Sequence, residues 1–304
     1  MDSDRIRQIY HDLGILSDGT GAPPIQPGDS VVSGEDDRRD VFQLEDTDED
    51  KLYSKLTRST VILTDASQLT ENGDGTWTLA VQPFRQRESM FSPSVPPCSG
   101  EAFAHQHTGG WCSGFLVGED VVVTAGHCGD DEAAFKETAF VFGFQCGSDI
   151  DPGTTSFDAN QVYFGKELIA RDLSSTGDFA VVRLDRMVEA PGAEPLPVRV
   201  SGNPTAGSRL GVIGYPSGLP VKIAFGDATI LIRDEDPWLI SNLDTYGGNS
   251  GSPVFNQFGE VEGILVRGAT DYVFTAACFR TNFITNAAGS EAVTKASVWR
   301  NHLP

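Results

Sequence analysis

Three short stretches carry side chains able to perform acyl transfer: Thr124-Ala125-Gly126-His127-Cys128, Gly177-Asp178-Phe179-Ala180 and Gly247-Gly248-Asn249-Ser250-Gly251-Ser252-Pro253. A serine hydroxyl is a weak nucleophile at neutral pH. Attack on a carbonyl therefore needs an imidazole to take its proton and a carboxylate to hold that imidazole in one tautomer. In chain order, His127, Asp178 and Ser250 supply the base, the orienter and the nucleophile. The glycines beside Ser250 serve the same chemistry, because a tight turn lets backbone N–H groups converge on the oxygen that becomes negative. The amides of Gly248 and Ser250 are the expected donors. Taken singly, each stretch has a plainer explanation: a core histidine, a turn aspartate, a β-turn. Their succession along a chain of short strands favours one shared site.

The elements that must position these groups read as β-structure. Beyond Thr57, short β-branched and aromatic runs alternate with Gly, Pro, Asn and Asp, as in Thr60 to Leu63, Trp77 to Val81 and Ala139 to Phe144. Further runs are Val181 to Leu184, Leu210 to Ile213, Ala228 to Ile232 and Val261 to Val266. Many short strands without intervening helices predict an all-β fold of antiparallel sandwiches or barrels. At the end, Ala292, Ala296, Trp299 and Leu303 share a helical face, which predicts a C-terminal helix over about Ser290 to Leu303. At the start, Ile6, Ile9, Tyr10 and Leu13 follow helical offsets, with Ser3 placed to cap and Gly14 to terminate. Ser17 to Ser30, with Pro23, Pro24 and Pro27, reads as an irregular linker. Residues 1–30 thus form a short N-terminal helical segment, either packed on its own domain or serving as a removable pro-segment or partner-docking helix. The ordered domain runs from Val31 to Pro304.

Composition narrows the partners. The chain has 304 residues, 43 acidic and 22 basic, for a formal net charge of -21. Such a charge repels phosphate backbones and anionic bilayers, so neither nucleic acid nor membrane is an expected partner. With 39% hydrophobic residues, the chain can bury a substantial core. Apolar runs such as Val121 to Val123 fall far short of the roughly 18 residues a spanning helix needs. The first residues lead into no apolar run, so no secretory signal is expected within this chain. Five cysteines cannot all pair with one another, which leaves at least one thiol. His105 and His107 would face one side of a strand, but two imidazoles without a third ligand do not make a metal site, and none is expected. The acidic runs Glu45 to Lys51 and Gly129 to Glu132 read as solvated faces.

The His127 and Ser250 motifs resemble those of the trypsin-like (chymotrypsin-fold) serine peptidases. A closer likeness is to the bacterial glutamyl-endopeptidase branch, carried by Val31-Val32-Ser33-Gly34-Glu35-Asp36-Asp37-Arg38, by Gly214-Tyr215-Pro216 and by Gly247 to Asn256. The resemblance implies two antiparallel six-stranded β-barrels with the site between them. The first would span about Leu56 to Ala170 and the second about Arg171 to Thr285, with Asp178 entering near the crossover. It also implies a serine endopeptidase acting on protein or peptide substrates without metal or organic cofactor. The family's disulfide beside the histidine matches Cys112 and Cys128, which favours a secreted or periplasmic setting. Two reduced cysteines in a cytoplasmic protein are the alternative, and pairing among Cys98, Cys146 and Cys278 stays open.

The same resemblance frames activation and specificity. Many animal-type members place an aspartate before the nucleophile to receive a new N-terminal ammonium; here that position is Asn249, which cannot form the ion pair. The glutamyl-endopeptidase branch starts its mature chain at a segment similar to Val31-Val32, so processing after Ser30 is expected. Thr245 matches a threonine that helps those enzymes hold a substrate carboxylate, while Leu265 replaces their pocket histidine. Asp244 stands where enzymes cutting after Arg or Lys carry a pocket-floor carboxylate; it is either that group or a structural residue bonded to loop backbone. Arg267 replaces a glycine at the pocket entrance and could neutralise Asp244 or attract an acidic substrate. The expectation leans to cleavage after Arg or Lys. Two rivals remain: an inactive peptidase-like binding module, and a latent protease released when a regulatory protein captures the Ile6 to Leu13 face.

Overall fold

The structure, a computed structural model, describes residues 32–33, 35–84, 95–226, 230–275 and 277–304. The expected N-terminal helix and linker of residues 1–30 lie outside the described residues.

The first half of the chain closes a six-stranded antiparallel barrel. Its strands, in ring order, are Val162–Ser174, Gly177–Leu184, Val121–Thr124, Cys112–Leu116, Thr60–Asp65 and Thr138–Phe142. The β-branched run of Val121, Val122 and Val123 is buried on both faces, as a strand in a closed wall must be. Phe115, Phe140, Phe142 and Tyr163 are among the large side chains that are fully buried in the core. This barrel extends to Leu184 rather than ending near Ala170, because the long Val162–Ser174 strand turns back on Gly177–Leu184 as a hairpin. Asp178 therefore belongs to the first barrel rather than to a segment entering the second.

The second half forms a seven-stranded sheet in the order Lys222–Ala224, Leu210–Gly214, Pro253–Asn256, Val261–Arg267, Glu291–Lys295, Trp238–Ser241 and Ile230–Glu235. All its pairings are antiparallel. The C-terminal helix is present but short: Ala296–Trp299 is helical and Arg300–His302 continues as a 3₁₀ turn, while Glu291–Lys295 is a strand. Trp299 is fully buried and meets the Phe115 ring edge-on at 5.8 Å, so the chain's end is packed onto the first barrel.

Several local features bear on the sequence reading. Part of the acidic run is a helix, Asp48–Thr57, whose N-cap Thr47 accepts from the Asp50 amide and whose first turn holds Asp48, Glu49 and Asp50. Negative charge is favourable at that end of a helix dipole. Two disulfides are present, Cys112–Cys128 and Cys98–Cys278, and Cys146 is a buried free thiol. No helix among the described residues is long and apolar enough to cross a membrane.

Candidate active site

The strand register sets the first contact. Ala180 lies opposite Thr124 and Val181 opposite Val123, so continuing this antiparallel pair two steps beyond Thr124 brings Asp178 against the 3₁₀ turn Gly126–Cys128. His127 Nδ1 and Asp178 Oδ2 are 2.8 Å apart, and the His127 amide donates to Asp178 Oδ1 across 3.1 Å. Both side chains are buried. An imidazole whose Nδ1–H is held by a carboxylate presents Nε2 as the base. The turn is held from outside by Arg171, whose Nε donates to the Gly126 and Gly129 carbonyls at 2.8 Å each. Gly126 must lack a side chain, since a Cβ there would run into the Asp172 carbonyl.

Ser250 sits on the loop leading into the Pro253–Asn256 strand, and that loop is fastened to the first barrel through Ser113. The Ser113 amide donates to the Ser250 carbonyl at 2.8 Å, and its hydroxyl donates to the Gly248 carbonyl at 2.8 Å. The same hydroxyl accepts from the Tyr215 amide at 3.0 Å. Cys128 Sγ is 3.7 Å from the Ser250 carbonyl oxygen. Because that sulfur is in a disulfide it has no proton to donate, so the approach is packing. It brings the residue after His127 against Ser250.

The loop's amides divide into two groups. Those of Asn249, Gly251 and Ser252 donate to the Tyr246, Leu265 and Asn249 carbonyls. The amides of Gly248 and Ser250 donate to no backbone carbonyl among the described residues. Gly248 has φ +105°, and a Cβ on it would come within 2.6 Å of the Tyr215 carbonyl oxygen. Only glycine suits that position. Asn249 is buried, with its Oδ1 accepting from Ser252 Oγ at 3.4 Å.

The expected pocket residues behave differently from one another. Asp244 is occupied by the N-terminal strap: its Oδ1 accepts from the Ser33 amide at 2.7 Å and its Oδ2 from the Asp37 amide at 3.0 Å. This is the structural role that the sequence left as one of two options. Burial and the negative charge of Asp37 push its carboxyl up to about 8. Asp37 is likewise raised, chiefly by burial. The strap is fixed further by Arg38, which pairs with Asp36, donates to the Tyr246 hydroxyl at 2.8 Å and lies 3.9 Å from that ring's centre. Thr245 is fully buried and donates its hydroxyl to Glu291. Leu265 is buried, and its amide donates to the Ser252 carbonyl at 3.0 Å. The Arg267 guanidinium lies over the Trp238 ring, 4.4 Å from its centre.

Sequence reasoning missed Ser113, Glu291 and the identity of the amides that hold Asp244. Ser113 had one available signal, its position beside the disulfide cysteine; Glu291 had none. His105 and His107 are not joined by a third ligand among the described residues. Among the described residues, the one group with metal-ligand proximity is Cys112, His127 and Cys128, within 4.8 Å of one another. Both of those sulfurs are committed to the disulfide, so the group is a structural feature and not a donor set.

The family model for the trypsin-like peptidase domain matches residues 112–264. The chain belongs to that family. A curated relative, the glutamyl endopeptidase of Staphylococcus aureus strain MRSA252, is 28% identical over 178 residues, covering 57% of this chain and 47% of the relative. The protein of the same name from strain MW2 is also 28% identical, covering 57% of this chain and 51% of its own length. The chain therefore spans about half the length of these curated relatives. Among solved structures, a Glu endopeptidase in complex with MPD aligns over 88% of this chain and 94% of its own, with 15% identity and a TM-score of 0.48. A serine endoprotease from Yersinia pestis aligns over 84% of this chain and 65% of its own, with 14% identity and a TM-score of 0.47.

Proposed function

We propose that the protein is a serine endopeptidase that cuts protein or peptide chains through an acyl-enzyme. The observation that carries this reading is the buried two-point contact of His127 with Asp178, 2.8 Å at Nδ1 and 3.1 Å at the amide, beside the Ser250 loop. Ser250 Oγ attacks the scissile carbonyl carbon while its proton passes to His127 Nε2, and Asp178 stabilises the imidazolium that results. The oxyanion is received by the Gly248 and Ser250 amides. Collapse expels the amine, which takes the proton from His127 and leaves the acyl group on Ser250. Water then attacks the ester with His127 again as base, releasing the acid and restoring the serine. A fluorophosphonate probe tests the reading: it should label the wild-type chain and leave Ser250→Ala unlabelled. Equal labelling of both, or of neither, would favour the inactive binding module.

For specificity, the proposed preference is for Arg or Lys before the cut, supported by the buried Glu291 side chain bonded to Thr245. A preference for Glu is the second reading, favoured by the curated relatives being glutamyl endopeptidases. Peptides differing only at that residue distinguish the two. Processing after Ser30 is supported by the buried Val32 and by its parallel pairing with Phe283, which seat the start of the strap in the second half of the fold. Sequencing of active material should then begin at Val31; full activity with Met1 retained would refute it. The two disulfides support work in an oxidising compartment outside the cytosol.

A further inference from the structure

Glu291 opens the strand Glu291–Lys295, in which Ala292 lies opposite Arg267 and Val293 opposite Leu265. That register puts Glu291 at the end of the strand that pairs with the one carrying Leu265 and Arg267. The carboxylate is fully buried. Its Oε2 accepts from the Thr245 hydroxyl, and its Oε1 accepts from the Ala269 amide at 3.3 Å. Gly268 packs directly on it, with no room for a Cβ between them. The Glu291 backbone is pinned as well, since its carbonyl accepts from Ser241 Oγ at 3.2 Å.

A hydroxyl has one proton to donate. Given to Glu291, the Thr245 proton is not available to a carboxylate arriving on a substrate. A second carboxylate brought to this place would also meet a like charge where burial weakens screening. Asp244 instead accepts from the Ser33 and Asp37 amides. The carboxylate that holds Thr245 is therefore not the one that the sequence singled out.

We propose that Glu291 is a specificity-determining residue that occupies Thr245 and thereby excludes an acidic side chain from the pocket. The proposal rests on the peptidase reading and deepens it: peptides with Glu before the scissile bond are poor substrates because an internal carboxylate already holds the acid-binding hydroxyl. The Glu291→Ala change frees Thr245, and Glu291→Gln removes the charge while keeping the shape.

The test is kcat/KM on three peptides that differ only in Glu, Gln or Arg before the cut, for the wild type and both variants, with fluorophosphonate titration of active sites. The wild type should cut the Glu peptide more slowly than the Gln peptide, and Glu291→Ala should raise the Glu-to-Gln ratio by about tenfold or more. Glu291→Gln should raise it by a smaller factor. Wild-type preference for Glu over Gln overturns the proposal whether or not the variants fold. So does an unchanged ratio in variants that still titrate, and in both of these cases the peptidase reading survives. Failure of the probe to label the wild type removes the peptidase reading itself, and the proposal with it.

Discussion

Ser113 and Gly248 are joined across the two halves of the fold by a 2.8 Å hydrogen bond from the serine hydroxyl to the glycine carbonyl. The same oxygen accepts the Tyr215 amide, so one buried side chain serves a donor and an acceptor that have no water to turn to. Ser113→Ala leaves both unsatisfied. The expected cost is about 1–3 kcal/mol, read as a lower midpoint in urea unfolding. Fluorophosphonate labelling should also slow, because the Gly248 peptide loses its anchor; unchanged labelling would show that the loop holds its shape without Ser113.

The base and its orienter make a sharper case. Asp178→Asn keeps the volume but replaces an oxygen acceptor with an amide that can donate to His127 Nδ1. That selects the tautomer with the proton on Nε2, where it cannot accept from Ser250. Activity should fall by about 10,000-fold while the melting temperature changes little, as a swap of this kind does in the serine-protease triad. A loss below tenfold in purified, folded material would detach Asp178 from the proposed role.

Gly248 tests the oxyanion site from the backbone side. Its φ of +105° disfavours any L side chain, and a Cβ would press on the Tyr215 carbonyl and on the Ser217 and Gly218 amides. Gly248→Ala must rotate or shift the peptide, which takes its N–H away from the developing charge. Loss of one such donor reduces kcat by about 100- to 1,000-fold, and the loss should appear in kcat more than in KM. A variant altered mainly in KM would place the strain in substrate binding instead.

Much of this site was legible because its chemistry is local. His127 and its cysteine share one turn, and the Ser250 glycines sit within three residues of the nucleophile. The alternation of short strands gave the all-β class for the same reason. What escaped depends on contacts far apart in sequence. Ala292, Ala296, Trp299 and Leu303 have helical spacing, yet Ala292 belongs to a strand whose neighbour Val293 is equally buried. A strand buried on both faces has no alternation to betray it, so a chance helical period wins. Reading that strand as helix concealed Glu291. Asp244 kept two readings for a similar reason, because the amides that claim it belong to Ser33 and Asp37, more than two hundred residues earlier.

That long-range pair predicts a pH dependence of stability. Burial and the charge of Asp37 raise the Asp244 carboxyl to about 8 from an ordinary 3.8, and Asp37 is raised as well. The folded chain thus binds more protons than the unfolded chain between those two values, and stability must fall as pH rises through that window. The contribution is complete below about pH 4 and is lost by the time Asp244 has ionised above about pH 8. Asp244→Asn retains an oxygen for one strap amide and carries no charge at any pH. Its melting temperature should decline less than that of the wild type between pH 5 and pH 8. The difference should favour the variant increasingly as the buffer becomes more alkaline. Differential scanning calorimetry of both proteins across this range decides the matter; parallel curves would mean that Asp37 and Asp244 carry no shared proton in the folded state.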